Sequence, residues 1–197
     1  MVICGNTFSQ TGRKLNESEK SAFEQKMIDR LKEIETLQCD FVQEKTSALL
    51  AEKAKSNGIL MYRYSTMLRW EYINPTPSTL ILNGNNAVLL DKDGKKTGNS
   101  TMIKQLGGLI ISLINGDGIK DRKKFSTEVF ETDDQFHIVF TPIQKRLQDY
   151  FKSIELKLEK NTLLSPEIVI NEKSGDKTVI YMDEKIINKE IPQSKFM

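Results

Sequence analysis

Residues 58–75 read GILMYRYSTMLRWEYINP. Leu60, Tyr62 and Tyr64 alternate with Met61 and Arg63, and Leu68, Trp70 and Tyr72 alternate with Met67, Arg69 and Glu71. Side chains on a strand point to opposite faces with a period of two, so the stretch predicts two successive strands sharing one apolar, aromatic face. Upstream, Leu37, Cys39 and Phe41 alternate with Gln38, Asp40 and Val42 and add a third strand to that face.

Working outward, Asn74-Pro75-Thr76-Pro77 breaks the pattern. Thr79–Leu82 and Ala87–Leu90 then flank Asn83-Gly84-Asn85-Asn86 as a hairpin whose turn wants positive φ. Further period-two segments run over Phe125–Thr132, Phe136–Thr141, Phe151–Glu159, Glu167–Glu172 and Thr178–Asp183. Two segments read as helices. Asn16–Thr36 carries Phe23, Met27, Leu31 and Ile34 at helical spacing, with Ser18 as the expected N-cap. Ser100–Asn115 carries Leu106, Leu109, Ile110 and Leu113 on one face, but Gly107-Gly108 predicts that it is short or kinked. About ten short strands, one helix before them and one inserted after the fifth, predict a mainly β fold with helices. An antiparallel sheet of this kind curls into an unclosed barrel whose mouth the helices can cover.

The 197 residues suffice for one domain, expected over 10–197. Residues 1–9 (MVICGNTFS) read as the remnant of a signal peptide, with Thr7 and Ser9 at the small-residue positions of a cleavage site, or as a disordered N-terminus. Cleavage there leaves Cys39 as the single thiol, and no disulfide framework is expected. A charge of +2 with no concentrated basic run gives no sign of nucleic-acid binding.

Catalytic vocabulary is sparse. His137 is the only histidine and reads as a strand residue on the face opposite Phe136, Ile138 and Phe140. No metal-ligand spacing, phosphate loop or dinucleotide fingerprint is present, so neither a metal, a cofactor nor an enzymatic reaction is expected. What remains is the apolar face. On periodicity alone sealed core is the leading reading, but several tyrosines and a tryptophan, which carry polar ends, are more typical of a pocket wall, and core and cavity lining both stay open.

The succession Phe41-Val42-Gln43, Gly58-Ile59-Leu60, Arg69-Trp70-Glu71 with Pro75, and Asn83-Gly84 resembles the outer-membrane lipoprotein carrier protein family, LolA, over about Leu31 to Asp91. The resemblance implies a half-barrel with a helical lid over a hydrophobic cavity, and a carrier, as a monomer in the periplasm, of lipoprotein acyl chains or another lipid. Its implied partners are an inner-membrane lipoprotein-releasing transporter and an outer-membrane acceptor. It places the cavity wall on Leu37, Cys39, Phe41, Leu60 and Tyr62, continued by Leu68, Trp70, Tyr72, Leu80 and Leu82. The lid falls on Leu106, Leu109, Ile110 and Leu113. Where the family usually has an Arg-Pro pair that holds the lid shut, this chain has Tyr64-Ser65, so Tyr64 is the expected lid contact, as in a paralogue with a different cargo.

Overall fold

The computed structural model describes residues 12–49, 53–64, 66–84, 86–98 and 101–197; of residues 98 and 101–106 it describes the backbone alone. The expectations for residues 1–9, for Ser65 and for the side chain of Leu106 lie outside the described residues.

After β1 (Arg13–Lys14) and α1 (Glu17–Lys32) come β2 (Thr36–Thr46), β3 (Lys53–Arg63), β4 (Met67–Asn74), β5 (Ser78–Asn83), β6 (Asn86–Leu90) and β7 (Lys96–Gly98). The helix α2 (Thr101–Ile114) and a single turn, α3 (Asp117–Lys120), lead to β8 (Phe125–Glu131) and β9 (Gln135–Pro142). A second single turn, α4 (Lys145–Gln148), precedes β10 (Phe151–Glu159), β11 (Glu167–Glu172) and β12 (Lys177–Ile187), and a 3-10 turn covers Gln193–Phe196. All strand pairs are antiparallel, in one sheet ordered β1-β8-β9-β10-β11-β12-β2-β3-β4-β5-β6-β7. The two runs of consecutive strands meet where β12 pairs with β2. The ends, β1 and β7, do not pair with each other, so the sheet is a curled, unclosed barrel.

Two expectations about the helices are corrected. The N-cap of α1 is Asn16, not Ser18: the Glu19 amide donates to Asn16 Oδ1 at 3.0 Å and the Asn16 amide donates to Glu19 Oε2 at 2.9 Å, a reciprocal capping box. The second helix runs unbroken through Gly107-Gly108 for 14 residues. Gly107 is there for close approach, since a Cβ at this position would lie 2.3 Å from Leu82 Cδ1 on β5. Two very short strands, β1 and β7, bring the count to twelve, and β12 continues past Asp183 to Ile187 through a bulge.

The inward residues of β2 to β5 and of β8 to β12 form one apolar concave face. Over it, α1 packs on the β9 side, with Phe23 4.5 Å from Phe136 between ring centres, and α2 lies across β4, β5 and β6. On the convex face the C-terminal tail crosses β4 and β5, where Ile81 and Phe196 are both buried.

Candidate lipid-binding cavity

Register builds the wall in rungs. Cys39, Leu60, Trp70, Leu80 and Leu89 are successive cross-strand partners from β2 to β6, and so are Leu37, Tyr62, Leu68, Leu82 and Ala87. A third rung pairs Phe41 with Gly58 and Gly58 with Tyr72. Gly58 leaves room for the Phe41 ring, since a Cβ there would lie 2.8 Å from Phe41 Cε1 and 1.8 Å from the Glu71 carbonyl oxygen. Phe41 then packs against Trp70 at 4.9 Å and edge-on to Tyr72 at 5.3 Å between ring centres. Arg69 and Glu71 leave the opposite face of β4 as an ion pair of 2.7 Å.

Two hollows remain between this wall and the helices. The smaller one, of about 60 Å³, is called the closed hollow only because α1 and α2 both lie over it; it is bordered by Met27 and Leu31 of α1, by Ile110 and Leu113 of α2, and by Leu37, Cys39 and Leu60. Its floor comes from the other half of the sheet, with Leu156, Leu158, Leu163, Ile168 and Met182, and its polar border consists of Ser165 and Lys185. The second hollow, of about 270 Å³, opens at the far end of the concave face between Trp70, Tyr72, Leu80, Phe151 and Ile170, with Gln43, Lys45 and Glu172 on its rim. Ile110 borders both.

The expected wall residues thus divide. Leu37, Cys39 and Leu60 face the closed hollow; Trp70, Tyr72 and Leu80 face the open one. Phe41, Tyr62, Leu68 and Leu82 are buried in the concave face without bordering either. Of the lid residues, Ile110 and Leu113 cover the closed hollow, while Leu109 turns toward Lys124 and Leu147. Tyr64 stands 54% exposed in the β3–β4 turn, and among the described residues its hydroxyl bonds no lid group. The residues that sequence reasoning missed are those of β10 to β12 and the loop before β11. Their period-two pattern marked them as strands, but nothing in it separated a cavity floor from packed core.

The electrostatics suit an apolar ligand. Burial pushes the Cys39 thiol up to about 12, so it is a buried apolar group rather than a nucleophile. Burial also raises the Tyr72 hydroxyl, which donates to Gln43 Oε1 at 2.8 Å. The Trp70 indole N–H and the Tyr62 hydroxyl, both buried, have no hydrogen-bond partner among the described residues. His137 lies on the convex face, its Nε2 3.0 Å from Glu155 Oε2. Among the described residues no three His, Cys, Asp or Glu side chains gather as metal ligands, and no helix is long and apolar enough to cross a membrane.

The two helices are held differently. Glu24 of α1 is buried and accepts two hydrogen bonds from Arg122, at 2.6 and 2.8 Å, while Arg30 donates to the Thr162 carbonyl at 3.2 Å. Among the described residues, side chains 107–114 of α2 make no hydrogen bond or ion pair to the sheet; the hydroxyl of Ser112 returns to the Leu109 carbonyl of its own helix.

Comparison with known proteins gives the same architecture. The family described as outer membrane lipoprotein carrier protein LolA matches residues 32–197. Among solved structures, a LolA superfamily protein from Nitrosomonas europaea aligns with a TM-score of 0.50 at 10% identity, over 88% of this chain and 97% of that one. An uncharacterized conserved protein from Thermus thermophilus aligns with a TM-score of 0.52 at 11% identity, over 89% and 92%. The MucA/MucB complex of Pseudomonas aeruginosa aligns with a TM-score of 0.52 at 9% identity, over 89% of this chain and 60% of that one. No curated protein matches the chain.

Proposed function

The chain belongs to the outer membrane lipoprotein carrier protein LolA family, and from that premise we propose that it binds the acyl chains of a lipoprotein or related lipid beneath α1 and α2 and carries them across the periplasm. The donor is an inner-membrane lipoprotein-releasing transporter, the acceptor lies at the outer membrane, and the carrier acts as a monomer without chemistry of its own. The observation that carries this reading is the closed hollow, bordered almost wholly by aliphatic side chains and roofed by a helix whose described side chains, 107–114, meet the sheet by packing.

Each methylene kept from water is worth about 0.8 kcal/mol, so a long acyl chain gains on the order of 10 kcal/mol by entering. Roughly 10–15 Å³ of such space admits one water. The closed hollow of about 60 Å³ is therefore too small for a whole chain. Displacement of Ile110 with α2 joins it to the open hollow and provides the length.

A single tryptophan on the wall makes the test direct. Titration with an acylated lipopeptide is expected to shift Trp70 emission saturably, with no response to the unacylated peptide. Equal responses, or none, would remove the carrier. A second reading, an adaptor that binds a lipid or protein signal and regulates a membrane partner, draws on the fold shared with MucB, solved in complex with MucA, and on the small size of the closed hollow. It gains if the chain ignores acyl compounds but forms a stable complex with a membrane protein.

A further inference from the structure

The closed hollow has one charged side chain on its border, and a break in strand geometry puts it there. Along β12, Thr178, Ile180 and Met182 point inward and are buried, so strict alternation would send Glu184 inward and Lys185 out. The register instead slips. Asp183 pairs with Asp40 and Ile186 with Gln38, leaving Glu184 and Lys185 together opposite Cys39. One extra residue inverts the faces beyond it: Ile187 packs against the core, Ile186 is 47% exposed, and Lys185 lines the hollow. The bulge holds Glu184 at φ 48°, left-handed backbone that a side chain of this size seldom adopts. On the neighbouring chain segment, joined to β12 where the Met182 amide donates to the Pro166 carbonyl, Leu163 is held at φ 55° in the loop that also brings Ser165 to the border. Strained backbone of this kind persists where the surroundings demand a particular side-chain direction.

The Lys185 ammonium donates to the Met182 carbonyl at 2.8 Å and forms no ion pair among the described residues. An ammonium has three N–H donors. Two are left for a ligand. Its positive field is felt at the Cys39 thiol, inside the same hollow, where it opposes the effect of burial. Surface lysines commonly lay an apolar stem along a wall and leave the head in water. Lys185 is half-buried: its head is bonded to the Met182 carbonyl and its side chain lies on the border of an aliphatic hollow that it shares with Ser165, which is the setting of an amphiphile's polar end.

We propose that Lys185 is the head-group anchor of this cavity: a single anionic head, a carboxylate or a phosphate monoester, rests on the Lys185 ammonium, and the acyl chain runs from it between Leu60, Leu113 and Leu156 and past Ile110 into the open hollow. The assignment rests on the carrier reading and narrows it from any acylated cargo to amphiphiles with an acidic head.

Equilibrium dialysis of the full chain with palmitate, hexadecyl phosphate and hexadecanol, each below its aggregation threshold, tests it. The wild type is expected to bind the two anions about tenfold more tightly than the alcohol, the increment of one charge-assisted hydrogen bond. K185M should lose that preference while keeping its affinity for hexadecanol, which reports an intact cavity, and K185R should retain it. Tighter binding of hexadecyl phosphate than of palmitate names a phosphate head; the reverse order names a carboxylate. Equal binding of all three by the wild type, or a preference that survives in K185M, overturns the anchor and leaves the carrier standing. Failure of all three, together with the acylated lipopeptide, removes the carrier itself.

Discussion

The helices α1 and α2 roof the same concave face and are attached to it by different physics. The first is capped by Asn16 and Glu19, fixed through Glu24 to Arg122, and fixed again through Arg30 to the Thr162 carbonyl. The described side chains of the second, 107–114, rest on β4 to β6 through apolar packing, and its seat on β5 is a glycine against Leu82. Directional polar contacts define one geometry, whereas apolar contact is non-directional and tolerates sliding. On the proposed carrier function the roof must both close over a chain and release it, and this contrast makes α1 the candidate for its fixed half and α2 for its moving half.

The largest effect that bears on this contrast comes from the fixed half. Removing the guanidinium in R122M leaves the buried Glu24 carboxylate without its two donors, a loss of about 3 kcal/mol allowing for the partial exposure of Arg122. Urea denaturation should show it, and R122M combined with E24L should regain most of it because the charge and its donor then leave together. If the single change cost nothing, α1 would be no better fixed than α2.

Second in size is Ile110→Ala. Truncation at a buried isoleucine beside existing space costs about 2 kcal/mol, the low end for such changes. The side chain also divides the two hollows, so its loss should join them and tighten binding of the acylated lipopeptide while stability falls. Weaker binding in proportion to stability would make Ile110 ordinary core and the hollows independent.

How far the sequence could reveal this contrast depended on which signal each feature leaves. The strands β10 and β11 were legible to the residue, because Phe151–Glu159 and Glu167–Glu172 alternate cleanly between turns. The extension of β12 was not, since the bulge at Glu184-Lys185 puts Asp183-Glu-Lys-Ile-Ile out of phase, and the same break hid Lys185. Both Asn16 and Ser18 are good N-cap types, and Glu19 three residues after Asn16 was the cue that separates them. Tyrosine and tryptophan stand out from core composition and marked Trp70 and Tyr72, which border the open hollow, but the same signal marked Tyr62, which is buried and borders neither hollow. The aliphatic floor on β10 to β12 could not be read, because leucine and isoleucine look alike whether or not space is left above them.

The smallest expected effect on stability is the most discriminating for α2. In G107A the new methyl would lie 2.3 Å from Leu82 Cδ1 and 3.0 Å from its Cδ2 and Cγ, so the leucine must shift at a cost of about 1–2 kcal/mol, while alanine gains about 1 kcal/mol of helix propensity; the two partly cancel, and the unfolding free energy from urea denaturation should fall by about 1 kcal/mol or less. The seat of α2 on β5 nevertheless shifts. Cys39 reports it in a C4S background, which removes the other cysteine, since its side chain lies almost wholly buried in the hollow α2 covers and maleimide labels it as that covering opens. Burial raises the thiol from its ordinary value near 9 to about 12, so the stability tied to its protonated form is complete below about pH 9 and is lost as pH climbs toward 12. Labelling at about pH 7.5 is therefore free of alkaline unfolding. G107A should label roughly severalfold faster than the wild type and R122M should show no excess, each compared with wild type matched for stability by a little urea. If G107A labels no faster, α2 is seated as firmly as α1 and ligand entry has to use the open hollow alone.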